Sequence, residues 1–264
     1  MDFNFYNPWI SNLFNRVIPC LLLQDGGLVK TVRFGRPRYV GDPINAVRIF
    51  NEKYVDELVF LDINASRFGS EPNYDLIARI AGECFMPLCY GGGIRSLHQA
   101  RRIVACGVEK IAVNCVAIDR PELLSELSHE LGVSSVVVAI DVKCDLFGRQ
   151  RVYHPGLRRL TNLDPIQHAK ASVEAGAGEV FLNNVDRDGR YAGFDTELIT
   201  RVAAAVNVPV IACGGAADIN DMRAAVEAGA SAAAAGSIFV FYGPHQAVLI
   251  NYPDYMSIRQ LFEQ

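Results

Sequence analysis

Two glycine runs, each directly after a strand-like segment, are the groups in this sequence best suited to hold an anion. Gly92 and Gly93 follow an apolar run that starts at Pro87, and Gly214 and Gly215 follow a weaker copy of it. Glycine lets the backbone approach a phosphate closely and turn its N–H groups towards it. The two runs lie 122 residues apart in the chain. They therefore predict two phosphate sites of the same construction.

Each glycine run has a further donor group at the end of the next strand-like run. In the first half this group is Asn114, and in the second half it is Gly236 with Ser237. A glycine run alone is a weak signal, but a repeated pair of run and donor is typical of phosphate sites at the mouth of an α/β barrel. The pattern predicts a ligand with a phosphate at each end.

Three aspartates at the ends of strand-like runs are candidates for contact with this ligand. Asp62 and Asp141 each end an apolar run, and Asp188 with Gly189 lies in a polar loop after another. In α/β barrels the carboxyl ends of the strands carry the chemistry. Asp62 has a second interpretation, as a cap for the following turn. Asp188 is expected to accept hydrogen bonds from the ligand.

Two long connections could cover these groups. The segment 28–42 is predicted to be a polar loop with Lys30 and three arginines, which either closes over an anionic ligand or is simply solvated. The segment 143–161 is too long for a plain connection and is predicted to form a small hairpin or lid. Its His154 is expected to be a solvated loop histidine.

The offset of 122 residues extends beyond the glycine runs and predicts the fold. It recurs between Glu57 and Glu179, which open apolar runs, and between Gly107 and Gly229, which close helical patterns. Four strand-like runs in each half, each followed by a helical pattern, predict a (β/α)₈ TIM barrel built by duplication of a half-barrel. The predicted strands are 17–23, 57–63, 87–90, 110–114, 135–141, 179–184, 208–213 and 231–236.

Length and composition agree with a single barrel. The chain has 264 residues, of which 50% are apolar, and residues 15–264 are predicted to form one domain behind an N-terminal extension, 1–14. That extension is expected to pack on the barrel, with a disordered tail as the alternative. A net charge of −4 provides no surface for nucleic acid, and no apolar run is long enough to cross a membrane.

Seven cysteines without a CxxC motif indicate a reduced, cytoplasmic compartment. No metal site and no cofactor are predicted.

Taken together, these segments resemble the cyclase subunit of imidazole glycerol phosphate synthase, a (β/α)₈ barrel of histidine biosynthesis. The resemblance covers about residues 16–240 and is carried by segments 16–21, 29–30, 41–43, 56–62, 91–94, 139–141, 186–189 and 213–216. In that family a glutaminase docks at the amino-terminal face and sends ammonia through the barrel axis to a bis-phosphate substrate. The resemblance therefore implies a heterodimer with a glutaminase, and it assigns Asp141 as a catalytic residue.

The same resemblance implies an ammonia gate at the amino-terminal entrance of the barrel. The matching positions are Arg16, Glu57, Lys110 and Glu179, which open the first, second, fourth and sixth strands. The charges of two cations and two anions cancel, and such a ring could control the passage of a small neutral molecule. The alternative is a purely structural cluster of salt bridges.

The chain departs from the family pattern at one decisive position. The family has an aspartate at the end of the first strand, where this chain has Leu22. A general acid or base typically contributes roughly 10²–10⁴-fold to a rate, so cyclisation is expected to be severely impaired. Asp25 is the nearest acid, but the turn glycines beside it suggest that it points away.

The chain also resembles paralogues of this subunit associated with O-antigen (lipopolysaccharide) biosynthesis, which share segments similar to 85–93 and 247–253. This implies that ammonia serves a separate ATP-dependent amidotransferase that converts an acetamido sugar to an acetamidino sugar. Two alternatives remain open. One is a histidine-pathway cyclase that makes imidazole glycerol phosphate and AICAR. The other is a non-catalytic protein that binds a phosphorylated ligand and activates the glutaminase.

Overall fold

A computed structural model describes residues 15–263 and contains a closed barrel of eight parallel strands. The predicted N-terminal extension, 1–14, lies outside the described residues. The strands are β1 (Arg16–Gln24), β2 (Gly27–Lys30), β3 (Arg38–Gly41), β4 (Leu58–Asp62), β5 (Leu88–Gly91), β6 (Lys110–Val113), β7 (Val136–Cys144), β8 (Gln150–His154), β9 (Arg159–Leu160), β10 (Glu179–Asn184), β11 (Val210–Cys213), β12 (Ala232–Ala235), β13 (Phe241–Tyr242) and β14 (Ala247–Val248).

The barrel itself consists of β1, β4, β5, β6, β7, β10, β11 and β12, and pairing of β10 with β7 and of β12 with β1 closes the ring. Strand β1 is therefore four strands away from β7 in both directions and lies opposite it. The (β/α)₈ prediction is confirmed.

Helices connect the barrel strands on the outside. They are α1 (Pro43–Glu52), α2 (Ala65–Phe68), α3 (Tyr74–Glu83), α4 (Leu97–Ala105), α5 (Cys115–Asp119), α6 (Glu122–Leu131), α7 (Pro165–Glu174), α8 (Thr196–Ala203), α9 (Asn220–Glu227), α10 (Ser237–Val240) and α11 (Tyr255–Glu263). Helix α1 begins where its cap predicts, because Asp42 accepts a hydrogen bond from the Asn45 N–H at 2.9 Å and Pro43 occupies the first turn. Between residues 15 and 263, no helix is long and apolar enough to cross a bilayer.

Equivalent glycines in the two halves make equivalent contacts. A Cβ atom on Gly92 would lie 2.6 Å from the Asp62 carbonyl oxygen, and a Cβ atom on Gly214 would lie 2.6 Å from the carbonyl oxygen of Asn184. Both pairs are 122 residues apart, and both glycines have positive φ. Glycine is required here because the loop after one strand packs directly on the end of its neighbour.

The barrel interior follows from the two-residue period of the strands. Alternate residues point to the axis and form one cluster, which contains small residues as well as larger ones: Ile18, Cys20, Val59, Cys89, Ala112, Val137, Ala139, Phe181, Ile211, Ala232 and Ala234. The other face of each strand packs against the helices in a separate core.

Three segments differ from the expectations or extend them. Segment 28–42 was predicted as a polar loop, but it contains the antiparallel pair β2–β3, because Leu28 and Val29 are buried against β1. The hairpin predicted within 143–161 is present as β8–β9, paired with β7. The β13–β14 hairpin was not predicted.

Candidate active site at the mouth of the barrel

A cavity of about 870 Å³ opens at the carboxyl ends of the barrel strands. Eight of the residues predicted for the site line it: Lys30, Asp62, Gly92, Gly93, Asn114, Asp141, Asp188 and Gly236. Four others, Gly189, Gly214, Gly215 and Ser237, are not part of its wall. The first of the two predicted phosphate sites therefore faces the cavity, whereas most of the second does not.

Asp141, at the end of β7, is one of two deeply buried acids among the described residues of the cavity, the other being Asp188. The Asp141 side chain accepts hydrogen bonds from the amide groups of Asn114 and Asn183, both at 2.9 Å. Burial, together with the nearby charge of Asp188, raises the pKa of Asp141 to about 7, although these two hydrogen bonds act to lower it. A carboxyl group with such a pKa can both take up and release a proton near neutral pH.

The two asparagines also offer acceptors. The Oδ1 atoms of Asn114 and Asn183 are buried and have no hydrogen-bond partner within residues 15–263. Buried carbonyl oxygens are normally paired. These atoms are therefore available to N–H or O–H groups of a ligand beside Asp141.

Leu22 lies on the strand opposite Asp141, and its side chain lines the same cavity. Asp25, the nearest other acid in sequence, is not in the cavity wall and instead accepts a hydrogen bond from the Asn64 amide at 3.3 Å. It therefore does not face Asp141 across the cavity. The expectation that Asp25 points away from the mouth is confirmed.

The remaining carboxylates of the cavity wall are engaged by the protein. Asp62 accepts the backbone N–H groups of Asn64 and Ala65 at 3.0 Å, which makes it the cap that one of the two interpretations anticipated. Asp188 pairs with the buried Lys30 at 3.2 Å. Burial is the largest influence on Lys30 and would lower its pKa, but the charge and hydrogen bond of Asp188, together with the nearby Cys20 and Cys213, outweigh it and raise that pKa.

His154 was expected to be a solvated loop residue, and this expectation was wrong. It is 4% exposed, lines the cavity, and lies with its Nε2 atom 3.1 Å from a carboxylate oxygen of Asp119. Its Nδ1 atom accepts the Leu157 N–H at 3.1 Å, so the proton is on Nε2. The β8–β9 hairpin folds over the mouth and buries the ring, and this tertiary contact has no local sequence signal.

The first predicted phosphate site contains a serine that the sequence did not single out. The Gly93 N–H donates to the Ser66 hydroxyl at 3.2 Å, and a Cβ atom on Gly156 would lie 3.2 Å from the Cys115 thiol and 3.4 Å from the Ser66 carbonyl oxygen. Ser66 therefore lies between the glycine run and the β8–β9 hairpin. The Ser66 hydroxyl therefore accepts the Gly93 N–H that a bound anion would otherwise accept.

The second predicted site is covered by other parts of the chain. Gly189 packs under the lid loop (residues 31–37), because a Cβ atom there would lie 2.6 Å from the Thr31 carbonyl oxygen. Gly215 packs still more closely on the Gly193 carbonyl, and the phenol of Tyr191 reaches the Ser237 hydroxyl.

The lid loop is attached on both sides of the mouth. The Arg33 N–H donates to the Asp188 carbonyl at 3.0 Å, and the Arg33 guanidinium pairs with Asp186 at 2.9 Å. On the other side the Phe34 ring meets the Tyr153 ring edge-on at 5.9 Å. The segment 31–37 therefore bridges β10 and the β8–β9 hairpin above the cavity.

The four residues predicted as an ammonia gate meet at the opposite end of the barrel. Arg16 bonds to both Glu57 and Glu179, and Lys110 reaches the same two carboxylates at 3.2 and 2.9 Å. Both glutamates are buried. Burial alone would lower the pKa of Lys110, but the two carboxylates together outweigh this effect and raise it. The cluster is a closed, electrically balanced ring.

Comparison with known proteins identifies the family. The model of the histidine biosynthesis protein family matches residues 16–245. The chain is 55% identical over 240 residues to a Pseudomonas aeruginosa protein provisionally named as the imidazole glycerol phosphate synthase subunit hisF2, with 90% of this chain and 96% of that one covered. It is 47% identical over 244 residues to a Vibrio vulnificus protein provisionally named as subunit hisF3, with 92% and 94% covered.

A third relative is the imidazole glycerol phosphate synthase subunit HisF of Kineococcus radiotolerans, which is 42% identical over 232 residues, 86% of this chain and 90% of that one. The chain therefore belongs to the histidine biosynthesis protein family and is a HisF-like barrel of the imidazole glycerol phosphate synthase type.

Proposed function

We propose that this chain is the barrel subunit of a glutamine-dependent synthase and delivers ammonia for a reaction other than imidazole ring closure. A glutaminase at the amino-terminal face supplies ammonia, which passes along the barrel axis to the mouth. The acceptor is an acetamido sugar of O-antigen or lipopolysaccharide synthesis, amidated with the help of a separate ATP-dependent amidotransferase.

The observation that carries this proposal is the pair of facing residues at the mouth. Asp141 is poised near neutral pH, while Leu22 occupies the position across the barrel and cannot transfer a proton. The other acids of the wall are held by backbone N–H groups, by Lys30 or by His154. One proton-handling acid suits transfer of ammonia better than a cyclisation that needs both an acid and a base.

The opposite end of the barrel supports passage of ammonia. The ring of Arg16, Glu57, Lys110 and Glu179 closes the floor, and the axis above it is apolar with several alanines. An apolar passage favours neutral ammonia over the ammonium ion, because an unpaired charge is costly to bury. Opening the ring would admit ammonia and exclude most ions.

Exposed apolar side chains support docking of a partner at this same end. Tyr54, Phe85 and Val133 precede β4, β5 and β7 and are 83%, 86% and 54% exposed. The Asn51 side chain fixes the loop that carries Phe85, since it donates to the Glu83 carbonyl at 2.6 Å and accepts the Phe85 N–H at 3.1 Å. A rigidly held aromatic residue is a common anchor in protein interfaces.

The alternative function is that of a histidine-pathway cyclase. The raised pKa of Asp141 favours it, whereas family membership fits both functions equally. In that case some other group would have to replace the acid missing at Leu22.

An ammonia-dependent assay with the bis-phosphate substrate of the cyclase separates the two functions. We expect turnover of the purified chain to be about 10²-fold or more below that of a complete cyclase, because one proton-transfer group is absent. Leu22→Asp should raise the residual rate, and Leu22→Asn, of the same size but without an acid, should not. Full turnover of the unaltered chain would exclude the proposed function in favour of the alternative.

A further inference from the structure

Four arginines line one side of the mouth and define an arginine rim, while a fifth, Arg36, reaches the cavity wall from the lid loop: the rim consists of Arg67, Arg95, Arg120 and Arg158. They come from the connections that follow four consecutive barrel strands, β4, β5, β6 and β7. All four are therefore neighbours around the first predicted phosphate site. Asn114 and the run Gly91–Gly93 lie in the same part of the cavity wall.

The charge of this rim is not neutralised by the cavity's own acids. Among residues 15–263, no carboxylate lies within 4 Å of Arg67, Arg95 or Arg158, and Arg120 makes a long contact of 3.7 Å with Glu126. The Nε atom of Arg120 is buried and has no partner in the same part of the chain. Meanwhile Asp119 pairs with His154, and Asp188 pairs with Lys30.

The other half of the mouth contrasts with the rim. The described connections after β10, β11 and β12 contribute no lysine or arginine to the cavity wall. The cation nearest Gly236 is Lys30, whose Nζ atom would lie 2.9 Å from a Cβ atom there, and it is already paired with Asp188. Among the described residues, the arginines of the cavity wall therefore lie away from β10, β11 and β12.

We propose that the cavity binds an asymmetric anion with its negative charge concentrated at one end, namely a diphosphate ester. The diphosphate lies on the arginine rim with the Ser66 hydroxyl between it and Gly93, and the uncharged part of the ligand extends towards Asp141 and the free Asn183 carbonyl. Guanidinium groups suit this ligand because they form paired, charge-assisted bonds to phosphate oxygens. The inference rests on the proposed function only in that it places the acceptor in this cavity.

Calorimetric titration of the isolated barrel with three probes tests this assignment. Inorganic pyrophosphate carries both phosphates together, fructose 1,6-bisphosphate carries them at opposite ends, and inorganic phosphate carries one. We expect pyrophosphate to bind about tenfold more tightly than either of the others, because only it can engage several rim arginines at once. Equal or tighter binding of fructose 1,6-bisphosphate would overturn the proposal.

Variants locate the binding on the molecule. Arg67→Ala, Arg120→Ala and Arg158→Gln should each weaken pyrophosphate binding about tenfold. Arg101→Ala is the matched control, since it removes one positive charge from the outer surface, where Arg101 pairs with Glu130. Pyrophosphate binding that is insensitive to all three rim variants would also overturn the proposal. No glutaminase is present in this experiment, so its outcome is independent of ammonia passage.

Discussion

At the scale of single residues, Asp141 is the carboxyl group of the mouth whose pKa lies closest to neutral pH. Its carboxyl group is buried at the end of β7 and held by two asparagine amides, which favour the charged form, yet burial dominates and raises the pKa to about 7. The group is therefore protonated at mildly acidic pH. Opposite it, Leu22 contributes only apolar surface.

The raised pKa of Asp141 predicts a specific dependence of stability on pH. Between the ordinary pKa of 3.8 and about 7, the folded state binds a proton that the unfolded state does not. The free energy of unfolding should therefore fall as pH rises through this window, by about 4 kcal/mol at most. Asp141→Asn lacks this titration.

Urea unfolding at several pH values checks this prediction. The stability of Asp141→Asn relative to the unaltered chain should increase from acidic to neutral pH, whatever the constant offset caused by the new amide. Parallel pH profiles for the two proteins would show that Asp141 has an ordinary pKa.

At this scale the sequence identifies some site residues and misses others for a physical reason. Asp141 and Asn114 could be found because strand ends converge at the mouth of a barrel. His154, Ser66 and Tyr191 could not, because each becomes part of the site through packing of one connection on another. The same packing hides Gly189 and Gly215, which looked like ligand-binding glycines in the sequence alone.

At the scale of the elements, the lid loop connects the segment after β10 to the β8–β9 hairpin above the mouth. Arg33 ties it to the segment after β10, and the Phe34 ring ties it to Tyr153 on β8. The Lys143 ammonium also lies over the Tyr153 ring, 5.4 Å from its centre. A loop held by so few side-chain contacts should open locally without unfolding the barrel.

Phe34→Ala should release the lid loop. We expect trypsin to cleave after Arg33 several-fold faster, while the free energy of unfolding changes by no more than about 1 kcal/mol, since one edge-on aromatic contact is lost. Phe147→Ala is the control, because Phe147 is an aromatic residue of the neighbouring hairpin that is 83% exposed. Identical cleavage of both variants would show that the Phe34–Tyr153 contact does not hold the loop.

The barrel strands were predictable because their apolar runs repeat with a fixed offset and continue through both halves. The strand pairs β2–β3 and β13–β14 were not, since short antiparallel pairs depend on which barrel end they cover rather than on a local period. The arginine rim was not predictable either, because its members are far apart in the sequence and meet only where four loops converge.

The whole molecule has two ends joined by an apolar axis. The floor is a closed ring of two cations and two anions, and the mouth is a covered cavity with a single poised acid. The duplicated halves provide the same backbone on both sides of the axis. Their side chains differ, because three of the four rim arginines follow strands of the first half and only Arg158 follows a strand of the second.

Transfer of isotopically labelled nitrogen from the glutamine amide tests this account most directly. In the complete amidating complex, with excess unlabelled ammonium in solution, we expect the product to keep the label, because ammonia passes inside the barrel. Glu57→Gln should unbalance the ring and lose the label, while Glu83→Gln, which alters an exterior pair with Arg48, should keep it. Label diluted by the bulk ammonium to the same extent in all three proteins would contradict an internal passage.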